Sequence, residues 1–229
     1  MASLTWLGHA AFRIDTDSGK RIYVDPFLQG NPKTPDGEKS PERVDIIAVT
    51  HGHSDHAGEV ADLSKRFPNA QIVAQVEVKG WLAKQGANVG DLPGINKGGT
   101  QEVDGVRFTL THAFHSSSAD DGTYLGESCG LVIRFDGNSI YFAGDTNVFG
   151  DMQLISRLYG PDVAVLPIGD WFTMGPEEAA VALELLGSPR CVPSHWGTFP
   201  LLSGTPQKLK ELAPNADVAE LEPGESIDL

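Results

Sequence analysis

His51-Gly52-His53-Ser54-Asp55-His56 sets three imidazoles and one carboxylate within six consecutive positions. Neutral imidazole and carboxylate are the ligand types that suit zinc and the neighbouring first-row metals. The tight spacing lets His51 and His53 face one metal ion while Asp55 and His56 turn toward another. The competing reading is a polar loop in which Asp55 merely caps a helix. Three later residues argue against it: His115, Asp145 and His195 each follow an apolar, strand-like run. Residues that arrive on strand ends gather where sheets carry their sites. His51, His53 and His115 are then expected to hold one ion, and Asp55, His56 and His195 the other, with Asp145 bridging through its two carboxylate oxygens. Two metals roughly 3.5–4 Å apart would share a water or hydroxide. Coordination lowers the pKa of that water toward about 7, which gives a nucleophile at neutral pH. Asp55 and Asp145 neutralise the ions only in part, so positive charge remains to polarise a carbonyl or phosphoryl oxygen. His112 competes with His115 for the third histidine position. His115 is preferred because it opens a polar loop, whereas His112 still belongs to a strand.

The elements that must position these residues follow a repeated grammar. Short branched or aromatic runs predict strands at 4–7, 11–15 and 21–25, with Asp17-Ser18-Gly19-Lys20 as a hairpin turn. A Pro-rich loop follows over 26–41, long enough to be functional or mobile. From Asp45 the pattern changes to strand and helix: a strand over 45–49, the histidine cluster, a helix over 57–67, a strand over 71–74 and a helix over 76–85. Residues 88–99 are Gly-rich and irregular. A second antiparallel group is expected at 101–103, 106–110, 131–135 and 139–143, with a polar loop over 115–127. Helices near 152–159, 176–186 and 206–212 then alternate with strands at 163–166, 191–193 and, to close, near Val218. Each half runs from antiparallel strands into strand–helix alternation. The fold class that satisfies both is α/β: a four-layer αββα sandwich of two mixed β-sheets flanked by helices. It is read as a single domain over 1–229 with two similar halves that meet near Gly98-Gly99.

Composition narrows the function. Hydrophobic residues make up 40 % of 229 residues, enough for a sizeable core. With 17 basic and 31 acidic residues, the net charge is −14, which disfavours nucleic acid and anionic lipid as partners. A small anionic substrate remains compatible, because bound metal reverses the sign locally. The N-terminal residues show no positive-then-apolar signal, and no apolar run reaches membrane-spanning length. A cytoplasmic protein without a membrane partner is therefore expected, and a homo-oligomer is compatible with it. The two cysteines, Cys129 and Cys191, lie in core-like strands and are expected as buried thiols.

His51-Gly-His53-Ser-Asp55-His56, the later His115, Gly144-Asp145-Thr146 and His195 resemble, in order, the metal motifs of the metallo-β-lactamase superfamily. The likeness runs over nearly the whole chain. Trp6-Leu7-Gly8-His9-Ala10, Asp25-Pro26-Phe27, Pro167-Ile168-Gly169-Asp170 with Phe172-Thr173-Met174-Gly175-Pro176, and Pro193-Ser194-His195 resemble one branch, a bacterial and archaeal family of metal-dependent hydrolases. That family is similar to the ascorbate-6-phosphate lactonases and, more distantly, to the N-acylphosphatidylethanolamine phospholipase D group. The resemblance implies a dinuclear zinc hydrolase, with manganese or iron as other occupants, that attacks an ester, lactone or phosphodiester of a small molecule. Every ligand position of the pattern holds its usual residue type. The alternatives are a nuclease or phosphodiesterase on nucleic acid, an iron-dependent oxidoreductase, or a non-catalytic metal-binding protein on the same fold.

The catalytic candidates are Asp55, Asp145 and His9. His9, whose counterpart in the family sits near the metals, is expected to bind a substrate oxygen or to orient a ligand; a structural turn histidine is the plainer reading. Asp25 is expected to accept the free ring N–H of a metal-binding histidine, against a simple turn role before Pro26. Asp170 follows a strand end and either serves at the rim of the site or is plain turn chemistry with Gly169. Trp171, Phe172, Trp196 and Phe199 lie near ligand-bearing loops, where they line a pocket or merely pack. Ser116, Ser117 and Ser118 either donate to a substrate or are ordinary loop content.

Overall fold

The computed structural model describes residues Met1–Leu229. Three antiparallel strands open the chain: β1 (Ser3–Trp6), β2 (Phe12–Asp15) and β3 (Arg21–Val24). β2 alternates buried and half-buried residues, whereas β1 and β3 are buried at three successive positions, as strands covered on both faces are. β4 (Ile46–Ala48) and β5 (Gln71–Val73) then join β3 in parallel, and are apolar on both faces as strands covered on both sides must be. Three helices fall within this half: α1 (Ser54–Ala57), α2 (Val60–Arg66) and α3 (Val76–Lys84).

The second half repeats the scheme. β6 (Thr100–Val103), β7 (Val106–His112), β8 (Cys129–Phe135) and β9 (Asn138–Phe142) are antiparallel, and β10 (Val163–Pro167) and β11 (Arg190–Ser194) continue the sheet in parallel. Its helices are α4 (Met152–Tyr159), α5 (Pro176–Leu185) and α6 (Pro206–Leu212). Thr205 caps α6 by accepting from the Lys208 amide, with Pro206 just inside the first turn. The chain closes with β12 (Ser226–Asp228).

Two six-stranded mixed sheets result, ordered β12-β1-β2-β3-β4-β5 and β11-β10-β9-β8-β7-β6. One core lies between them, built from inward residues of both sheets such as Phe12, Ile14, Phe108, Ile133 and Phe142. A second lies under α1–α3 around Tyr23, Ile47, Val60 and Leu82, and a third under α4–α6 around Tyr141, Leu166, Leu183 and Leu209. This is the expected four-layer arrangement. No helix is long and apolar enough to cross a membrane. Cys129 and Cys191 are free, fully buried thiols.

Two local expectations are corrected. Val218 forms only an isolated bridge to Cys191, and the closing strand is β12, which returns to pair with β1 in the first sheet. Three residues with Ile227 as the single buried side chain carry too little periodicity to announce a strand. The helix expected over 57–67 begins earlier, at Ser54, and breaks at Gly58-Glu59 into α1 and α2. A polar first turn hides its start, so Asp55 and His56 stand on a helix and not on a turn.

Candidate metal centre

The site forms where strand ends of both sheets meet. His51 follows β4, Asp25 follows β3, His115 follows β7, Asp145 follows β9 and His195 follows β11; His9 sits in the turn between β1 and β2. Three of these residues have left-handed backbone: His9 (φ 56°), Asp25 (φ 46°) and His195 (φ 54°). Such conformations cost roughly 1–3 kcal/mol each for a non-glycine residue and cluster at functional sites. The surrounding bonds hold them. The His9 carbonyl accepts from Trp6 Nε1 and from the His195 amide, both at 2.9 Å. The Asp25 amide donates to the Ala48 carbonyl at 3.0 Å. Gly52 matters for a different reason: a Cβ there would lie 2.4 Å from Leu125 Cδ1, so only glycine lets the histidine loop pass.

The predicted residues converge. Ligand atoms of His51, His53 and His115 lie within 4.8 Å of one another, as do those of His9, Asp55, His56 and His195, and those of His51, His56 and Asp145. Asp145 is the hub. Its Oδ2 stands 3.2 Å from His195 Nε2, 3.4 Å from His56 Nε2, 3.6 Å from His115 Nε2 and 3.9 Å from His51 Nε2. His112 ends β7, is exposed and belongs to none of these groups.

Behind the front row, hydrogen bonds fix which ring nitrogen faces inward. His56 Nδ1 donates to Asp25 Oδ2 at 2.8 Å. The Thr50 hydroxyl donates to the same oxygen at 2.6 Å and accepts from His51 Nδ1 at 3.0 Å. Asp25 Oδ1 accepts from the Thr50 amide at 2.8 Å. A carboxylate accepts only, so both rings carry their proton on Nδ1 and present a bare Nε2 to the centre. Thr50 escaped the sequence reading although it directly precedes His51. Ser117, expected as a substrate donor or as loop content, accepts from the Gly52 amide at 3.1 Å and fixes the same loop.

Burial weakens every charge here, and the neighbours decide which survive. Burial drives His9 down to about 4 and His51 well below the usual histidine value, and it lowers His53 and His115 as well. The carboxylates run the other way. Burial opposes their ionisation, but His56, His195 and His9 hold Asp55 below the usual carboxylate range, and His195 and His56 hold Asp145 well below it. Burial likewise opposes a charge on His195, yet Asp145 and Asp55 raise it to about 9.

A metal fits this donor set. His56 Nε2, Asp145 Oδ1 and His195 Nδ1 are buried polar atoms with no hydrogen-bond partner. Leaving such atoms unpaired costs about 1–3 kcal/mol each, and a cation at the centre would satisfy the inward-facing ones. Residues 20–196 match the model of the beta-lactamase superfamily domain. The chain belongs to the beta-lactamase superfamily. It is 44 % identical over 227 residues to a UPF0173 metal-dependent hydrolase of Koribacter versatilis, covering 97 % of this chain and 96 % of that protein. A UPF0173 metal-dependent hydrolase of Herpetosiphon aurantiacus is 46 % identical over 233 residues, covering 98 % and 96 %. A solved metallo hydrolase from the archaeon Ignicoccus hospitalis superposes with a TM-score of 0.87 at 34 % identity, covering 99 % and 97 % of the two chains. The protein is a metal-dependent hydrolase of this superfamily.

The remaining candidates of this superfamily member divide. His9 is fully buried; its Nε2 lies 2.9 Å from Asp55 Oδ2 and its Nδ1 3.1 Å from Thr198 Oγ1. Trp196 packs, stacked on Trp6 at 5.2 Å, and Phe199 meets His9 edge-on at 5.4 Å. Trp171 and Phe172 are exposed. Asp170 accepts from the Trp171 amide at 2.7 Å and stays within its own turn. Ser116 Oγ lies 3.3 Å from His53 Nε2, and Ser118 bridges to Tyr124.

Proposed function

We propose that this hydrolase uses two divalent metal ions, zinc first among them, to cleave an ester, lactone or phosphodiester of a small molecule. The observation that carries this reading is the set of four histidine Nε2 atoms, from His51, His56, His115 and His195, at 3.2–3.9 Å around Asp145 Oδ2. His51, His53 and His115 would hold one ion and Asp55, His56 and His195 the other, with Asp145 between them. Bound there, the ions would supply a Lewis acid and a water acidified enough to attack at neutral pH.

The other residues act on those ligands. Neutral His9 donates from Nε2 to Asp55 and accepts the Thr198 hydroxyl at Nδ1, since a bare Nε2 could not bond a carboxylate. His9 is thus a positioning residue for Asp55, with no path to solvent for a direct contact with substrate. Asp25 does the same for His56 and, through Thr50, for His51. Asp25→Asn should weaken metal binding by about 10–100-fold, because its amide nitrogen would face either the Nδ1–H of His56 or the Thr50 amide N–H, and neither can accept a hydrogen bond. Activity should return when the metal concentration is raised. Competition against a chromogenic chelator reads the affinity; a parent-like value would remove Asp25 from this role.

The net charge of −14 favours a small substrate over nucleic acid. Elemental analysis of the purified protein tests the reading together with a panel of p-nitrophenyl esters, lactones and bis(p-nitrophenyl) phosphate. About two metals per chain and turnover on one class are expected. A metal-free protein that turns over the same substrates equally fast would overturn it.

A further inference from the structure

A groove made of two adjoining hollows, which share Lys97 and His112 in their walls, lies beside His115 and reaches from the end of β7 toward α4. Its inner part, about 350 Å3, is bounded by His115, His112, Phe114, Lys97 and Glu127. Its outer part, about 240 Å3, adjoins the same Lys97 and His112 and is walled by Phe149, Leu154 and Leu158. The two parts are chemically unlike. Lys97 Nζ and Glu127 Oε2 pair at 2.8 Å beside the inner part, whereas the outer walls are mainly apolar.

The outer walls are also open to solvent. Leu154 and Leu158 are one helical turn apart on α4, so their side chains lie on one face. They are 43 % and 66 % exposed, while Met152 and Ile155 of the same helix are buried in the core. Phe114 is 60 % exposed and meets Phe149 edge-on at 5.2 Å, which joins the mouth of the groove to its outer wall. A single exposed leucine needs no explanation. A run of apolar side chains leading from a reactive centre is the mark of a binding groove.

We infer that the substrate carries an unbranched apolar chain, which lies against Leu154, Leu158 and Phe149 while the bond to be cleaved sits beside His115. This rests on the hydrolase reading above. The outer part is smaller than the roughly 300–1,000 Å3 of pockets that take drug-sized molecules, so it takes a chain and not a fused ring system. Continuity with the centre through Lys97 and His112 singles out the substrate as the occupant. The paired Lys97 and Glu127 leave the inner part without a net charge, so the group next to the scissile bond need not be ionic.

Two series of measurements on the metal-loaded protein test this. Calorimetric titration with 1-butanol, 1-hexanol, 1-octanol and 1-decanol should show the dissociation constant falling about threefold to fourfold per methylene. Hydrolysis of p-nitrophenyl acetate through decanoate should show kcat/KM rising by a similar factor until the groove is filled. Leu154→Ser and Leu158→Ser alter exposed positions and should fold as the parent does. They should flatten both series. Equal binding of all alcohols, or series that the two serine variants do not alter, would overturn the inference. So would a dimer that Leu158→Ser dissociates together with no alcohol binding, since a second copy would then cover the groove. Alcohol binding of the expected slope with no turnover of any ester would uphold the groove and remove ester cleavage alone. Turnover that ignores chain length would do the reverse.

Discussion

Asp145→Asn should cut turnover about a thousandfold while leaving the fold in place. Asparagine keeps the shape of the side chain, so packing around a residue that is 3 % exposed changes little. What changes is charge. Asp145 Oδ2 faces four imidazole nitrogens, and an ion between those nitrogens needs an anionic partner. The amide cannot provide one, and its N–H2 group points hydrogens at the place where a cation would sit. A fall in kcat/KM on the order of 10³ is expected, the usual result of removing a buried electrostatic contributor to a transition state. Metal content should drop below two per chain, and the far-ultraviolet circular dichroism should match the parent. Asp170→Asn is the control, because Asp170 bonds only within its own turn among the site loops and should leave both quantities alone. An Asp145→Asn protein with full metal content and parent-like turnover would refute the two-metal reading.

The parts of this site that were legible in the sequence are those whose side chains announce themselves. Histidine and aspartate are rare enough in tight spacing that 51–56 stood out, and the strand-like runs before His115, Asp145 and His195 placed each at a sheet end. The layers were legible for the same reason: apolar runs of four or five residues between turns mark covered strands. What stayed hidden was carried by ordinary residues. Thr50 relays His51 to Asp25 through one hydroxyl, and Thr198 holds His9 from 189 residues away. No local pattern encodes a pairing at that separation. The strand β12 was hidden by its brevity, and α1 by a polar first turn whose residues serve the site and not the core. The groove could not be read either, because Leu154 and Leu158 look like core positions on an amphipathic helix until Met152 and Ile155 are seen to fill that role.

Stripping the metal should lower Tm by roughly 10–20 °C. A ligand at a hundredfold excess over its Kd stabilises the folded state by about 2.7 kcal/mol, and two independent ions by about twice that. In a chain of this size each kcal/mol moves Tm by about 2–4 °C. The site also explains why the loss would not be total. His56 and His195 can take up protons beside Asp145, Asp55 and Asp25, so the stripped centre retains ion pairs of its own. The two donor sets make the effect divisible. His53→Ala removes a ligand from the set with His51 and His115 and leaves Asp55, His56 and His195 whole. That variant should lose about half of the shift on chelation, whereas Asp145→Asn, which touches both sets, should lose nearly all of it. Differential scanning calorimetry before and after dialysis against a chelator measures each case. A shift below about 2 °C in the parent, with elemental analysis showing that the metal has gone, would mean that the cluster is held by its own hydrogen bonds and that the ions contribute little to the fold.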